Sequence, residues 1–342
     1  MGLRFRRTLK IAPGLRLNFN KNSAGLSIGP RGAKYTINSS GRRTASVGIP
    51  GSGLYYTESE GGGNHKPEPD PSIGYNNRGE EIHLDTPGLF AGRAETVFYE
   101  FADKYLSANN NISYEETKAA AEKIKAENPN LAPIIDYAMI AKTANYKAED
   151  ALAICERLYA IPDLLNDKIA KKYFDQFRVN IPIARGITYP TDYNDDYLPY
   201  TYSEILQALG HPEKALEVIQ KVPDSEYKRI AMADLHLALH MYVELIEETN
   251  DLENIDDESA ILITFRAIAY RELKEFNLAI ETFRLAIAKR SRSRDILEYA
   301  RYERACTYAE MGKKAQAIKE LNKLIASDYN NEEAKKKLAE LQ

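Results

Sequence analysis

Apolar and polar residues alternate with a period of two through the first 57 residues. Leu15-Arg-Leu-Asn-Phe19 carries the pattern, and Leu26-Ser-Ile28, Tyr35-Thr-Ile37, Ala45-Ser-Val-Gly-Ile49 and Leu54-Tyr-Tyr56 continue it. Turn signals separate these runs: Pro13-Gly14, Gly29-Pro-Arg-Gly32, Ser40-Gly41 and Pro50-Gly-Ser-Gly53. Short strands so closely spaced predict a small all-β meander over residues 1–57. Residues 58–92, with Gly61-Gly-Gly-Asn-His-Lys-Pro-Glu-Pro-Asp-Pro71, read as a Gly/Pro-rich linker in which Glu81 to Leu84 makes a brief extended contact. From about residue 93 the period becomes helical: Val97, Phe98, Phe101 and Tyr105 share one face. After Tyr114–Glu127, helices are expected over 131–144, 148–160, 164–179, 200–209, 212–222, 225–248, 257–273, 275–289, 295–311, 314–326 and 331–341. The chain is therefore expected to be mainly α, with helices in antiparallel pairs over 93–342.

An internal repeat sharpens that expectation. Ala267-x-x-Tyr270, Leu273-Lys-Glu-Phe276 and Ala279-Ile280 recur as Ala305-x-x-Tyr308, Met311-Gly-Lys-Lys314 and Ala317-Ile318, offset by 38 residues. Phe283 and Ala286 follow in the first copy, and Leu321 and Leu324 in the second. Small residues where two helices cross let the backbones approach, and larger side chains fill the groove beside them. The pattern resembles the tetratricopeptide repeat, which implies an α-solenoid of stacked helix hairpins. The clearest units are 257–289 and 295–327, with 331–341 as a capping helix. Ala151 and Ala215 precede Ala279 at intervals of 64, close to two repeats, and 225–248 supplies part of the missing unit. Some tetratricopeptide domains clamp a chaperone tail through Lys and Asn on an inner helix. Thr264 and Ile268 occupy those positions here, so the resemblance does not imply that ligand.

Four blocks near the start carry a second resemblance. Met1-Gly-Leu-Arg-Phe-Arg-Arg, Ala12-Pro-Gly-Leu-Arg-Leu-Asn, Gly25-Leu-Ser-Ile-Gly-Pro-Arg-Gly32 and Val47-Gly-Ile-Pro-Gly-Ser-Gly-Leu-Tyr-Tyr56 are similar to the bacterial domain of unknown function numbered 4236. The resemblance implies a bacterial or phage-related origin and no activity.

Charge divides the chain where the pattern does. Residues 1–57 hold ten bases, Arg4, Arg6, Arg7, Lys10, Arg16, Lys21, Arg31, Lys34, Arg42 and Arg43, and no acid before Glu58. The remainder balances 36 bases against 50 acids, so a net charge of −4 conceals a +10 segment joined to a −14 one. All but Lys21 are taken as candidate polyanion-binding residues, interleaved with aromatic side chains as on nucleic-acid surfaces. Nucleic acid, an anionic membrane surface and the chain's own acidic domain are the alternatives. Cys155 and Cys306 lie far apart in helical patterns and read as reduced core thiols. No apolar run is long enough to span a membrane, and Met1 to Arg7 has neither the apolar region of a secretory signal nor a fitting acylation pattern. A cytoplasmic protein is expected.

Candidate chemistry is sparse. His236 and His240 stand four apart, but no third ligand is spaced to complete a metal site, and ordinary helix histidines account for them. Tyr193, Tyr197 and Tyr200 belong to a Tyr-rich interruption, readable as a recognition loop or as a connector packed on its own rings. Lys289 to Arg294 is either a phosphate-contacting loop or a solvated helix end. No nucleophile motif, phosphate loop, metal or cofactor set appears. The residues point to a non-enzymatic adaptor or scaffold whose helical groove holds a protein or peptide, with the basic segment fixing location or assembly. A nucleic-acid-binding regulator is the alternative.

Overall fold

The computed structural model describes the strand residues named next within residues 1–60, and residues 84–106, 112–184, 187–328 and 331–342. Backbone strands β1 (Arg4–Phe5), β2 (Arg7–Ala12), β3 (Leu15–Asn20), β4 (Ser23–Ile28), β5 (Ala33–Asn38), β6 (Arg43–Gly48) and β7 (Tyr55–Glu60) come first. From β2 to β7 each pairs antiparallel with the next. The packing expected of a β module and the side chains of all nine polyanion candidates lie outside the described residues, as does the linker over 61–83.

Fourteen α-helices follow among the described residues, so the chain is mainly α. They are α1 (Arg93–Phe101), α2 (Tyr114–Glu127), α3 (Ala132–Tyr146), α4 (Ala148–Tyr159), α5 (Lys168–Tyr173), α6 (Tyr197–Ala208) and α7 (Pro212–Gln220). Then come α8 (Glu226–Ala238), α9 (Tyr242–Thr249), α10 (Asp257–Glu272), α11 (Phe276–Ala286), α12 (Arg294–Glu310), α13 (Lys314–Ser327) and α14 (Glu332–Leu341). Strands β8 (Arg178–Ala184) and β9 (Ile187–Asp192) form a hairpin between α5 and α6. Helix starts follow local chemistry: Ser113 and Glu116 make a reciprocal capping box on α2, as Asp256 and Ser259 do on α10.

Four helix hairpins share one turn. Gly210, His240, Lys274 and Gly312 all hold left-handed backbone, at φ 84°, 59°, 64° and 72°. Beyond each, an N–H reaches back to close the first helix: His211 to the Leu206 carbonyl at 2.8 Å, Met241 to His236 at 2.8 Å, Glu275 to Tyr270 at 2.9 Å and Lys313 to Tyr308 at 2.9 Å. Seven residues before the turn stand Ser203, Ala233, Ala267 and Ala305, and five after it Ala215, Leu245, Ala279 and Ala317; all eight are buried. Phe283 and Leu321 are buried beside them, while Tyr270 and Tyr308 are half-buried. The unit between Ala215 and Ala279 is thus α8–α9, with Leu245 in the place of the alanine. The expected single helix over 225–248 is two, because the backbone of His240 turns left-handed without a glycine to announce it.

Two further expectations are corrected. The helix over 164–179 stops early: α5 passes into a 3-10 turn at Phe174–Gln176 and then into β8. Val179, Ile181 and Ile183 alternate with polar residues and proline, a strand pattern that overrides the helical one upstream. The Tyr-rich segment is no recognition loop, since Tyr193, Tyr197 and Tyr200 are all buried. Tyr137 stacks on Phe174 with ring centroids 5.0 Å apart, Tyr193 meets Phe174 edge-on at 5.6 Å, and Tyr197 lies 4.5 Å from Tyr193. The Tyr137 hydroxyl donates to the Asn194 carbonyl at 2.7 Å. Burial drives the phenol of Tyr193 well above its ordinary range.

Candidate functional site

First helices of successive hairpins pack on one another, α8 on α10 and α10 on α12. Helix α10 is consequently enclosed from Ser259 to Ala269. Thr264 is buried with its hydroxyl donating to the Ala260 carbonyl at 2.7 Å, and Ile268 is buried too, so neither faces a ligand. The corresponding face of α6 and α8 is taken by strand β8. Ile181, Ile183 and Ile187 of the hairpin are buried, and Tyr189 stacks on Tyr227 of α8 with centroids 3.9 Å apart. This part of the first-helix face is covered by the chain itself.

Open relief lies instead between α2, α3 and α4, in a cleft of about 220 Å³. Ala121, Met139 and Ile154 line it together with Lys118, Lys125 and Arg157. At its base sits Asp136, 7% exposed. Its carboxylate accepts from Lys125 Nζ at 2.6 Å and Arg157 Nη2 at 2.8 Å. Burial pulls the Lys125 ammonium down, but hydrogen bonds to Asp136 and Glu122 outweigh it and leave the group above its ordinary value. Asp150 is held below the carboxylate range, first by its hydrogen bond to Lys147, at 2.7 Å, and then by Lys118 at 3.3 Å. Tyr114, which also lines the cleft, stacks on Tyr146 with centroids 4.2 Å apart. The side chains here include no activated nucleophile. Sequence reasoning missed this cleft: Lys125 and Asp136 lie on opposite sides of the Asn128-Pro-Asn130 turn, and nothing in the spacing marks them as partners.

The histidine pair does not share a helix face. His236 takes the buried position four before the turn, with Nδ1 3.2 Å from Glu248 Oε2, whereas His240 is the left-handed turn residue, with Nδ1 2.5 Å from the Tyr242 hydroxyl. Among the described residues no cluster of three or more metal-ligating side chains is present. Two of the four bases of the basic loop are engaged within the chain. Arg292 binds the Asn254 side chain at 2.8 Å and the Ile255 carbonyl at 2.6 Å, and Arg294 pairs with Glu298 at 2.7 Å. It ties one hairpin to the next.

Small buried residues before a left-handed turn, and a buried alanine or leucine after it, define the repeating unit. Residues 299–331 match the family model for the tetratricopeptide repeat. They are a tetratricopeptide repeat. Residues 3–57 match the model for a protein of unknown function, DUF4236. The structure is similar to the crystal structure of the N-terminal domain of the EccA1 ATPase from the ESX-1 secretion system of Mycobacterium tuberculosis. The match has a TM-score of 0.52 and 13% identity, and covers 73% of this chain and 90% of that one. At that identity the likeness is one of fold. Comparison with curated proteins gives no match. The tetratricopeptide-like body points to protein partners, and no helix among the described residues is long and apolar enough to cross a membrane.

Proposed function

We propose that this chain is a non-enzymatic adaptor. Its helical body binds a segment of a partner protein, and its basic N-terminal segment, a β meander, fixes location or assembly. The repeated hairpin carries the reading, because a stack of tetratricopeptide-like units supplies extended binding surface rather than a reaction centre. The cleft between α2 and α4 is the favoured contact, since the chain's own hairpin covers the first-helix face over α6 and α8. A photo-crosslinking residue placed at exposed Ala153 of the full chain in its native host tests this, with Leu285, exposed on α11, as control. One protein captured from Ala153 and not from Leu285 supports the reading. An empty Ala153 lane sinks it.

A second reading rests on the acid-free run of ten bases in residues 1–57. There the chain is a nucleic-acid-binding regulator, and affinity for DNA or RNA falls steeply with salt as counterions are released. No binding at low salt removes this reading. Co-sedimentation with acidic but not neutral vesicles would instead assign the basic segment to a membrane surface.

A further inference from the structure

The outer edge of β9 is filled from the other end of the chain. Strand β1 pairs antiparallel with it, Arg4 opposite Thr188 and Phe5 opposite Ile187, so the sheet runs β8–β9–β1. β8 lies on α6 and α8, and the backbone of β1 runs beside α12. The sheet thus touches first helices from α6 to α12. Its last strand is short, two residues in all. Pro190, two positions beyond Thr188 in β9, has no N–H to give a ladder. A strand edge is a template for any extended segment, and an edge closed by so short a strand is open to exchange.

Tether and charge favour the docked strand. Because β1 belongs to the same chain, its concentration at β9 is set by the chain connecting them and not by dilution. Arg4, Arg6 and Arg7 open a run with no acid before Glu58. On the body, Tyr189 follows Thr188 and stacks on Tyr227, and Glu226 and Glu258 lie close to the Tyr227 phenol. Burial, and then Glu226, Asp256 and Asp257, hold the Glu258 carboxyl above its ordinary range. Four acids therefore gather by the ring pair, with Arg229 and Arg292 beside Asp256. A strand rich in bases is the segment of this chain whose charge complements that surface.

We propose that the edge of β9 is a strand-addition site and that the chain's own N-terminal strand occupies it as an intramolecular plug. An extended basic segment of a partner protein adds to β9 when β1 leaves, and that departure frees the basic segment of this chain in the same step. The site is independent of the cleft between α2 and α4. A plug docked in about 90% of molecules weakens the site about tenfold toward an added strand.

The full chain carrying Arg4→Cys/Thr188→Cys tests the docking, because opposed residues of paired strands stand close enough for a disulfide. Expected under mild oxidation is a bond between the two introduced thiols within one chain, mapped by mass spectrometry, and none for Lys10→Cys/Thr188→Cys, which is out of register. A labelled peptide of residues 1–12 tests the site by fluorescence anisotropy. It should bind Arg4→Pro/Phe5→Pro, in which β1 has no N–H to donate, about tenfold or more tighter than the unaltered chain. It should not bind the oxidised lock, and reduction should restore binding to the level of the unaltered chain. The helical circular dichroism should be the same in every variant, since none of the replaced residues lies in a helix. No bond within the chain, or one between two chains, overturns the proposal. So does a peptide that binds the oxidised lock, or that binds no better after both proline substitutions.

Discussion

Lys274 holds the left-handed backbone that Gly312 holds one hairpin later, at φ 64° against 72°. A side chain in that conformation costs about 1–2 kcal/mol. Its ion pair with Glu310, 3.5 Å long and largely solvated, returns little of that. Lys274→Gly should therefore stabilise the chain by about 1 kcal/mol, and Gly312→Ala should destabilise it by about 1 kcal/mol or more. Urea unfolding midpoints of the two variants would read both signs, and a neutral Gly312→Ala would mean the turn is not built as described.

Ala279 is fully buried in the second helix of its hairpin, five residues after the turn. Ala279→Leu should cost about 1–3 kcal/mol by forcing the helices apart. Neighbouring Leu278 faces solvent, and Leu278→Ala should stay within about 0.5 kcal/mol of the parent. Thermal melts distinguish the two, and equal effects would mean the crossing has slack.

Arg304 reaches Glu320 across the last hairpin, Nη2 to Oε2 at 2.6 Å, with side chains only 12% and 8% exposed. Burial pushes the Glu320 carboxyl up, but its hydrogen bonds to Arg304 and Lys323 prevail and set it below the usual carboxylate range. Stability from a depressed carboxylate is fully present above its unfolded value of about 4.3 and is lost as pH falls through the folded value. Arg304→Met should cost about 1.5–3 kcal/mol, since Glu320 keeps Lys323 at 2.9 Å, and adding Glu320→Leu should restore most of it. In acid titrations monitored by circular dichroism, the double variant should lose less stability than the parent below about pH 4.3. Parallel acid curves would contradict the pairing.

Lys142 donates to the Tyr105 carbonyl at 2.9 Å and to Thr117 Oγ1 at 3.0 Å, and burial pulls its ammonium down to about 8. The unfolded chain, with an ordinary lysine near about 10.4, binds more protons between those values, so stability rises with pH across that window. Lys142→Met should flatten the rise, visible as urea midpoints that no longer climb from about pH 8 to about pH 10. Above that, deprotonation of buried tyrosines such as Tyr193 destabilises parent and variant alike. A rise that survives Lys142→Met would assign it to another group.

What could be read in advance follows from which signals are local. Ala267, Tyr270, Ala279 and their counterparts 38 residues on were legible because a repeating contact requires a repeating spacing. Leu245 hid the unit between them by standing where an alanine was expected, and His240 hid its turn by doing without glycine. The hairpin over Arg178–Asp192 was overlooked because Lys171, Lys172 and their neighbours continue a helical pattern up to its edge. For the cleft there was no sequence signal at all, since Asp136 draws its partners from two other helices.

By itself the sequence determined the helical body, its repeat and the separation of charge between the two ends. These depend on periodicity, turn chemistry and composition, which act over a few residues or sum along the chain. Only the tertiary structure decided that the tyrosines of 193–200 are core, that Arg292 and Arg294 of the 289–294 loop bind their own chain, and that β8 covers part of the first-helix face. Each depends on what surrounds a side chain in three dimensions, and a ring or a guanidinium has the same local spacing whether it meets water or protein.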